Sequence, residues 1–564
     1  MSIKIVQPNK NVELHLPDGR VLSGARGTQV EKFLSQVKDD FVAPIVAVII
    51  NNEIHELTFP IEIESFCQPV TINTADGARI YRRSLVFLLE MAFAELFPND
   101  RLNIDHSVSS GGFYCEVKGR EAITQDGLDL LKEHIQRLIK EDHPFVRREM
   151  PIQEALAYFT QRGYEDKLRL LAYRRKDHLT MYSINNQMDY MHGFMVPSTG
   201  YLKWFDLKLV NGGFTMQFPR RHAPTEIEPI GEYPKLLSAF RQYGDWLETL
   251  NIDNVGALND AIQAGHADEI VLVSEALHEQ NVADIAQQIA HKKSSIILIA
   301  GPSSSGKTTM SRRLAVQLLA RGISPYPLEL DNYFVDRDKN PFDENGNPDF
   351  ETIEALDLPR LAYDLEKLIN GEKIQLPRFN FKMGRSEAGD LIQLKDGQPI
   401  ILEGIHGMNP RLIPDRWSGA AFRVYVSALT QLNLDRHNRV STTDTRLIRR
   451  IVRDARERGY TAQATISRWE SVRRGEKKHI FPYQENADVM FNSALAYELA
   501  ALTPLAEPLL RQVPYNAPEF IEAKRLLAFL EWFLHLDASL IPANSIVREF
   551  LGGSSLKDFK IWRG

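Results

Sequence analysis

The stretch Ile296-Ile-Leu-Ile-Ala-Gly301-Pro-Ser-Ser-Ser-Gly306-Lys307-Thr308-Thr309 decides the fold. An apolar run of strand length leads into a serine-rich turn between two glycines, and a helical pattern follows, which is the context of a GxxxxGK[ST] phosphate loop. Glycines let the backbone wrap around an anion, and the N–H groups at a helix start attract it. The alternative is an ordinary Gly/Ser loop with a solvated lysine. We predict that a polyphosphate binds at Gly301, Ser303, Ser304, Ser305, Gly306, Lys307, Thr308 and Thr309.

Two acids follow apolar strand patterns further along the chain. Asp331 comes after the run 326–330, and Glu403 ends the run 399–403. Ligands of open parallel sheets bind at the carboxyl ends of the strands, so both carboxylates are expected near the phosphate loop. We predict that Asp331 accepts the proton of an attacking hydroxyl and that Thr308 and Glu403 hold Mg²⁺. The alternatives are a capping aspartate and a solvated strand-end glutamate.

An arginine-rich helix is predicted from Thr443 onward. Arg446, Arg449, Arg450 and Arg453 recur at spacings of three or four and share one face, with Arg458 at the end. Guanidinium groups can neutralise the charge of a transferred phosphoryl group. A solvated face with local ion pairs to Asp454 and Glu457 is the other interpretation.

Strand and helix patterns alternate over 294–505, which predicts an α/β domain with a parallel sheet and helices on both faces. Around it we expect a small α+β domain at 1–66, a second α+β domain at 67–225, a helical connector at 226–293 and a helical tail at 506–564. The stretch 547–555 is too polar and glycine-rich for a core, and we expect a flexible end or an interface there.

Composition narrows the class of protein. The 564 residues carry a formal net charge of -7, which argues against a nucleic-acid partner held by counterion release. Two cysteines, Cys67 and Cys115, do not make a disulfide framework and fit a reducing compartment. The apolar runs are too short to cross a membrane. We therefore expect a cytoplasmic protein without a membrane partner; a homo-oligomer is compatible with the sequence.

The region 294–500 resembles the uridine kinase/phosphoribulokinase family of P-loop kinases. The resemblance rests on ordered blocks: 301–309, 331–334, 350–351, 376–381, 402–404 and 446–459. It implies ATP and Mg²⁺ as cofactors, Asp331 as general base, Glu403 as metal residue, and Arg450, Arg453 and Arg458 as lid arginines that touch the phosphates.

The acceptor side of this region departs from the uridine kinases. The family's base-contacting tyrosine and histidine correspond to Phe379 and Gly384, and its ribose-binding aspartate corresponds to Glu351. Phe379 can still stack on a base. We expect Asp331, Phe334, Glu351 and Phe379 to contact the acceptor, and we leave pyrimidine selectivity open.

The N-terminal half resembles threonyl-tRNA synthetase. Residues 1–66, with Leu16-Pro-Asp-Gly19, are similar to its TGS domain, a β-grasp-like fold. Residues 67–225 resemble its second additional, editing-type domain. The metal-ligand positions of that domain correspond here to Arg83, Phe87, Met191 and Met195, which cannot assemble such a site.

The leading hypothesis is an ATP-dependent kinase that phosphorylates a hydroxyl of a small molecule, first of all the 5′-hydroxyl of a nucleoside such as uridine or cytidine. A kinase for another small alcohol or a sugar phosphate is the second hypothesis. The third is an RNA- or tRNA-associated regulatory protein that ATP switches, which the synthetase-like modules favour and the acidic charge disfavours.

Overall fold

A computed structural model describes residues 10–108, 111–119, 122–210, 212–231, 233–342, 346, 348–430 and 432–559. Of the expected outer segments, 1–9 and 560–564 lie outside these residues.

The N-terminal unit is a mixed sheet with one short helix. Its strand order is β2-β1-β7-β4-β5, and a two-stranded ribbon pairs β3 with β6. Strand β7 continues five residues past the expected boundary at 66, so the unit ends later than the composition indicated. The elements are β1 Asn11–His15, β2 Val21–Ala25, β3 Thr28–Gln29, α1 Val30–Leu34, β4 Ile45–Ile50, β5 Glu53–His55, β6 Pro60–Ile61 and β7 Ser65–Thr71.

The second unit packs a long helix and its neighbours on two antiparallel sheets, β13-β14-β9-β8 and β10-β11-β12. The Thr74 hydroxyl caps the long helix by accepting the Gly77 N–H. The elements are α2 Ala75–Leu96, β8 Arg101–Val108, β9 Gly112–Lys118, α3 Gln125–Glu141, β10 Val146–Pro151, α4 Ile152–Arg162, α5 Glu165–Ala172, β11 His178–Ile184, β12 Gln187–Tyr190, β13 Asp206–Val210 and β14 Gly213–Gln217.

Three helices follow, and the last of them leads into the parallel sheet. Pro234 occupies the first turn of the first helix, where its missing N–H costs no hydrogen bond. The helices are α6 Pro234–Thr249, α7 Val255–Gln263 and α8 Ala267–Lys292.

The central domain is a five-stranded sheet in the order β16-β19-β15-β20-β21, parallel throughout, with α-helices in the connections from β15 to β16, from β16 to β19 and from β20 to β21. This confirms the α/β fold expected for the region. A hairpin of β17 and β18 stands beside it. The elements are β15 Ile296–Ala300, α9 Lys307–Leu319, β16 Tyr326–Glu329, α10 Leu358–Ile369, β17 Ile374–Asn380, β18 Arg385–Ile392, β19 Ile400–Glu403, β20 Ala421–Ser427, α11 Thr442–Arg458, α12 Ala462–His479 and β21 Val489–Asn492.

Strand β15 explains why its sequence is apolar throughout. Ile297 and Ile299 pack into the core formed with α8, α9, α11 and the later helix Glu498–Arg511, whereas Ile296, Leu298 and Ala300 pack into the core on the opposite face. Parallel strands covered by helices on both faces have no polar side, so alternation disappears.

The C-terminal segment contradicts one expectation. Its helices are α13 Glu498–Arg511, which crosses the expected boundary at 505, then α14 Phe520–Leu530 and α15 Arg548–Leu551. Ile546, Val547 and Phe550 are fully buried in the central core, so the stretch 547–555 does contribute to a core. Although most residues of this stretch are polar or glycine, Ile546, Val547 and Phe550 are spaced so that they lie on one buried side. Among the described helices, none is long and apolar enough to cross a membrane.

Candidate functional site

The predicted residues meet at the carboxyl edge of the parallel sheet. Gly301 follows β15, Asp331 lies in the turn after β16, and Glu403 ends β19. In the register of the sheet, Glu403 is opposite Ile299 on one side and opposite Glu329 on the other. Strand β19 therefore places its terminal carboxylate between the phosphate loop and the aspartate.

The phosphate loop has the tight backbone that its glycines predict. A side-chain carbon at Gly301 would lie 1.9 Å from Val426 O, and Gly306 has a left-handed φ of +87° just before α9. The hydroxyl oxygens of Ser304 and Ser305 are buried and have no hydrogen-bond partner within the described part of the chain. Unpartnered buried hydroxyls beside a helix start fit a bound polyphosphate, the group that the sequence predicted there.

The pair Thr308 and Glu403 fits a magnesium ion. The Thr308 hydroxyl donates to Glu403 Oε2 at 3.2 Å, so the two oxygens already lie together. The pKa of Glu403 is raised to about 7, chiefly by burial. The positive charge of Lys307 opposes this rise, and the negative charge of Asp331 adds to it. A divalent cation would relieve this crowding of acids, and hydroxyl and carboxylate oxygens are its preferred ligands.

Asp331 is open to the cleft, yet the surrounding protein displaces enough water to raise the pKa of its carboxyl. The positive charges of Lys307 and Arg458 act in the opposite direction, and both are therefore near the aspartate. Lys307 itself donates to Pro302 O at 3.1 Å. A carboxylate that is half desolvated is a better proton acceptor than one in bulk water.

Two arginines of α11 hold the phosphate loop instead of facing its ligand. Arg446 Nε donates to Ser303 O at 2.9 Å, and Arg449 Nη1 donates to Ser304 O at 3.3 Å. Both side chains are buried. Each also forms an ion pair with a buried carboxylate, of Glu476 and of Glu498 respectively.

The other arginines of α11 lie on the side of the site. Arg450 Nη1 donates to the Ser303 hydroxyl at 2.8 Å. Arg450, Arg453 and Arg458 all form ion pairs with the buried Asp454, at 3.0 to 3.3 Å. One carboxylate thus gathers three guanidinium groups next to the phosphate loop. These three are the arginines assigned to the lid, whereas Arg446 and Arg449 have the structural positions described above.

The residues expected at the acceptor form a second wall of the cleft. Phe334 and Phe379 pack edge to face with ring centroids 5.8 Å apart, and Phe381 joins them at 5.1 Å from Phe379. Glu351 lies against Gly475. The pKa of Glu351 is raised to about 7, chiefly by burial and then by the negative charge of Glu476, against the opposing charges of Arg450 and Lys307. The carboxyl of Glu351 is therefore within electrostatic reach of the phosphate loop.

Three further residues belong to the site although sequence reasoning did not assign them. The Glu476 carboxylate accepts the Ser303 N–H at 2.9 Å, and Asn332 Oδ1 accepts the Phe379 N–H at 3.3 Å. Glu549 accepts both the N–H and the hydroxyl of Thr309. The position of Asn332 directly after Asp331 was a usable signal; Glu476 and Glu549 reach the loop only through the tertiary fold.

In the second unit, the four residues at the positions of the synthetase metal ligands have other contacts. Phe87, Met191 and Met195 are buried in the apolar core, and Arg83 Nη1 donates to Phe194 O at 2.7 Å. Two histidines of this unit have aromatic neighbours: His106 stacks on Phe240, and the ring of His192 lies edge-on to that of Trp532.

Comparison with known proteins agrees with both resemblances. Residues 296–499 match the model of the Phosphoribulokinase / Uridine kinase family. The N-terminal region matches threonine–tRNA ligases, for example those of Desulforamulus reducens and Bacillus subtilis, each 28% identical over 204 residues. These alignments cover 36% of this chain and 32% of each ligase, so the chain spans about a third of the length of these curated relatives.

Two solved structures are each similar to part of this chain. One is a putative fructose transport system kinase from Silicibacter sp. (17% identity, 37% of this chain and 98% of that chain, TM-score 0.28). The other is a possible uridine kinase from Bacillus stearothermophilus (21% identity, 38% of this chain and 98% of that chain, TM-score 0.26).

Proposed function

We propose that this chain, through its region of the phosphoribulokinase and uridine kinase family, is an ATP-dependent kinase that phosphorylates a hydroxyl group of a small molecule. The single observation that carries the proposal is the convergence of Asp331, Glu403 and the phosphate loop at one edge of the sheet. The positions proposed for the nucleotide, the metal ion and the general base lie next to one another at this edge, as phosphoryl transfer requires.

The roles follow from the positions. Lys307 and the N–H groups at the start of α9 bind the ATP phosphates, and Thr308 and Glu403 would hold Mg²⁺, which neutralises phosphate charge when bound. Asp331 accepts the hydroxyl proton, the acceptor oxygen bonds to the γ-phosphorus, and the bond to the bridging oxygen breaks to leave ADP. Arg450, Arg453 and Arg458 stabilise the charge on the transferred group.

We propose a nucleoside as the acceptor, with its 5′-hydroxyl phosphorylated. The three aromatic rings of Phe334, Phe379 and Phe381 can contact the edge and the face of a nucleobase. The Glu351 carboxylate can accept hydrogen bonds from the ribose hydroxyls. The enzyme is proposed to act in the cytoplasm, where ATP is abundant and the thiols of Cys67 and Cys115 stay reduced.

One observation favours a phosphorylated acceptor as the second candidate. Arg337 lies directly over Gly384, the position that corresponds to the uridine kinase histidine: a side-chain carbon at Gly384 would be 2.4 Å from Arg337 Cδ. A guanidinium group in this place can pair with an anionic substituent on the acceptor. Replacing Arg337 by Gln would then weaken binding of a sugar phosphate and leave nucleoside binding unchanged.

The proposal is tested by following ADP release with Mg-ATP and a panel of nucleosides and sugar phosphates. We expect Asp331→Asn to lower kcat by about 10²- to 10⁴-fold, since the general base is lost. Lys307→Ala should weaken ATP binding and turnover together. The matched control is Asp338→Asn, an exposed carboxylate in the same connection. Wild-type rates in the first two variants would refute the assignment.

A further inference from the structure

The C-terminal segment 541–556, called here the tail segment, is packed on the phosphate loop. Ile546 Cγ2 would be 2.7 Å from a side-chain carbon at Gly306, and Leu556 O accepts a hydrogen bond from Arg312 Nη1 at 2.9 Å. The tail segment therefore follows α9 from its first residue through two turns. Ile546 and Phe550 have no exposed surface.

Glu549 places an anion at the start of α9. Its carboxylate accepts the Thr309 hydroxyl at 2.8 Å and the Thr309 N–H at 3.3 Å. The first N–H groups of a helix lack partners inside the helix and attract negative charge. In a phosphate loop, the same backbone N–H groups cradle the α- and β-phosphates of the nucleotide. The carboxylate of Glu549 therefore accepts a hydrogen bond from a backbone N–H group that a nucleotide phosphate would also need.

Phe550 places a ring beside that anion. The Arg449 guanidinium lies 4.8 Å from the centroid of the Phe550 ring, in a cation–π contact, and the same guanidinium bonds to Ser304 O of the phosphate loop. The buried Phe550 ring thus anchors the tail segment to an arginine that itself holds the phosphate loop.

The backbone of these two residues is fixed from the arginine helix. Arg456 donates to Glu549 O at 2.9 Å and also to Phe550 O. Two glycines with left-handed φ, Gly552 at +98° and Gly553 at +71°, follow immediately. The tail segment is thus held by side chains of α9 and α11 and by the burial of Ile546 and Phe550, and it contains two glycines in the left-handed conformation.

We propose that the tail segment is autoinhibitory: the Glu549 carboxylate occupies part of the nucleotide site, and ATP binds when the segment moves away. This inference rests on the proposed function, since it concerns the regulation of the same site. Only the molecules with a displaced tail segment bind ATP, so the apparent dissociation constant is the intrinsic constant divided by the fraction of molecules in the open state.

The test uses the full-length chain and calorimetric titration with Mg-ATP. Glu549→Gln keeps the shape of the side chain and removes its charge, and we expect the dissociation constant to fall by at least about tenfold. The matched control is Glu531→Gln, which removes the charge of another glutamate in the C-terminal region. The Glu531 side chain pairs with Lys176, away from the phosphate loop. It should bind Mg-ATP as the wild type does.

A second measurement needs no variant. Saturating Mg-ADP should increase amide hydrogen exchange across 541–556 in the wild-type protein, because the nucleotide displaces the segment. Equal affinities for wild type and Glu549→Gln, or unchanged or slower exchange in the segment, would overturn autoinhibition and leave the kinase proposal standing. If neither folded protein binds nucleotide, the kinase proposal falls, and this one with it.

Discussion

At the scale of single residues, the acids of the cleft differ in environment more than in chemistry. Asp331 is the most exposed of them, although desolvation raises its pKa too; burial raises the pKa of Glu351 and of Glu403 to about 7. A carboxyl with a pKa near 7 changes its charge within the ordinary working range of an enzyme. The contribution of Glu351 to acceptor binding should therefore depend on pH.

We expect the KM for the acceptor, measured at saturating Mg-ATP, to be about tenfold higher at pH 6 than at pH 8. The pKa of Glu351 is raised, so the carboxyl is neutral below about pH 7 and becomes the stronger, ionised acceptor for hydroxyl groups only above it. The charged groups that face it are Glu476, Asp349, Arg450 and Lys307.

Two variants check this assignment of the pH dependence. Glu351→Gln should raise the KM and make it independent of pH. Glu354→Gln, at a neighbouring carboxylate whose pKa is lowered to about 2 by the Thr352 hydroxyl and Arg411, should keep the wild-type profile. A profile that survives Glu351→Gln would assign the titration to another group.

At the scale of elements, α11 serves two functions on two faces. The buried guanidinium groups of Arg446 and Arg449 fix the backbone of the phosphate loop, and the more accessible Arg450, Arg453 and Arg458 share the carboxylate of Asp454. Adjacent residues of a helix point in different directions, so a structural arginine at 449 can stand next to one proposed to bind phosphate at 450.

We expect Arg449→Met to lower the free energy of unfolding by about 3–5 kcal/mol, because it leaves the buried carboxylate of Glu498 without its counter-ion. Arg458→Met, at a side chain that is 51% exposed, should change stability by less than about 0.5 kcal/mol and lower kcat instead. Urea denaturation and steady-state rates separate the two effects. A stable Arg449→Met protein would contradict the structural role.

At the scale of the whole molecule, buried charges join the synthetase-like unit to the kinase-like domain. The Lys167 ammonium of α5 lies 2.9 Å from Asp189 and 3.2 Å from Asp435, a residue in the connection between β20 and α11. His437 from the same connection lies 2.9 Å from Asp189 and 3.1 Å from Glu90. The connection that leads to α11 is therefore held by the other unit.

Removing the single ammonium should destabilise this junction. We expect Lys167→Met to lower the free energy of unfolding by about 3–5 kcal/mol, because buried carboxylates then face each other without a cation. Lys176→Met, whose side chain is 57% exposed in its ion pair with Glu531, is the control and should change it by less than about 0.5 kcal/mol. Equal denaturation midpoints in the two variants would show that the cluster contributes little.

The sequence by itself determined the features that depend on local pattern. The phosphate loop, Asp331 and Glu403 each lie next to an apolar strand, and strand, turn and helix preferences act over a few residues. The α/β architecture of the central region follows from the same patterns. Spacing also placed the arginines on one helix, although it could not separate those that hold the loop from those that face the site.

Only the tertiary structure decided which distant groups meet. Glu549 reaches Thr309 across 240 positions of the chain, and Asp189 meets His437 across 248. The extent of the first sheet through Thr71 and the burial of Phe550 likewise depend on packing partners far along the sequence. Such contacts depend on how whole units pack together. A local sequence pattern predicts a helix, strand or turn, and it does not identify the distant residue that will be in contact.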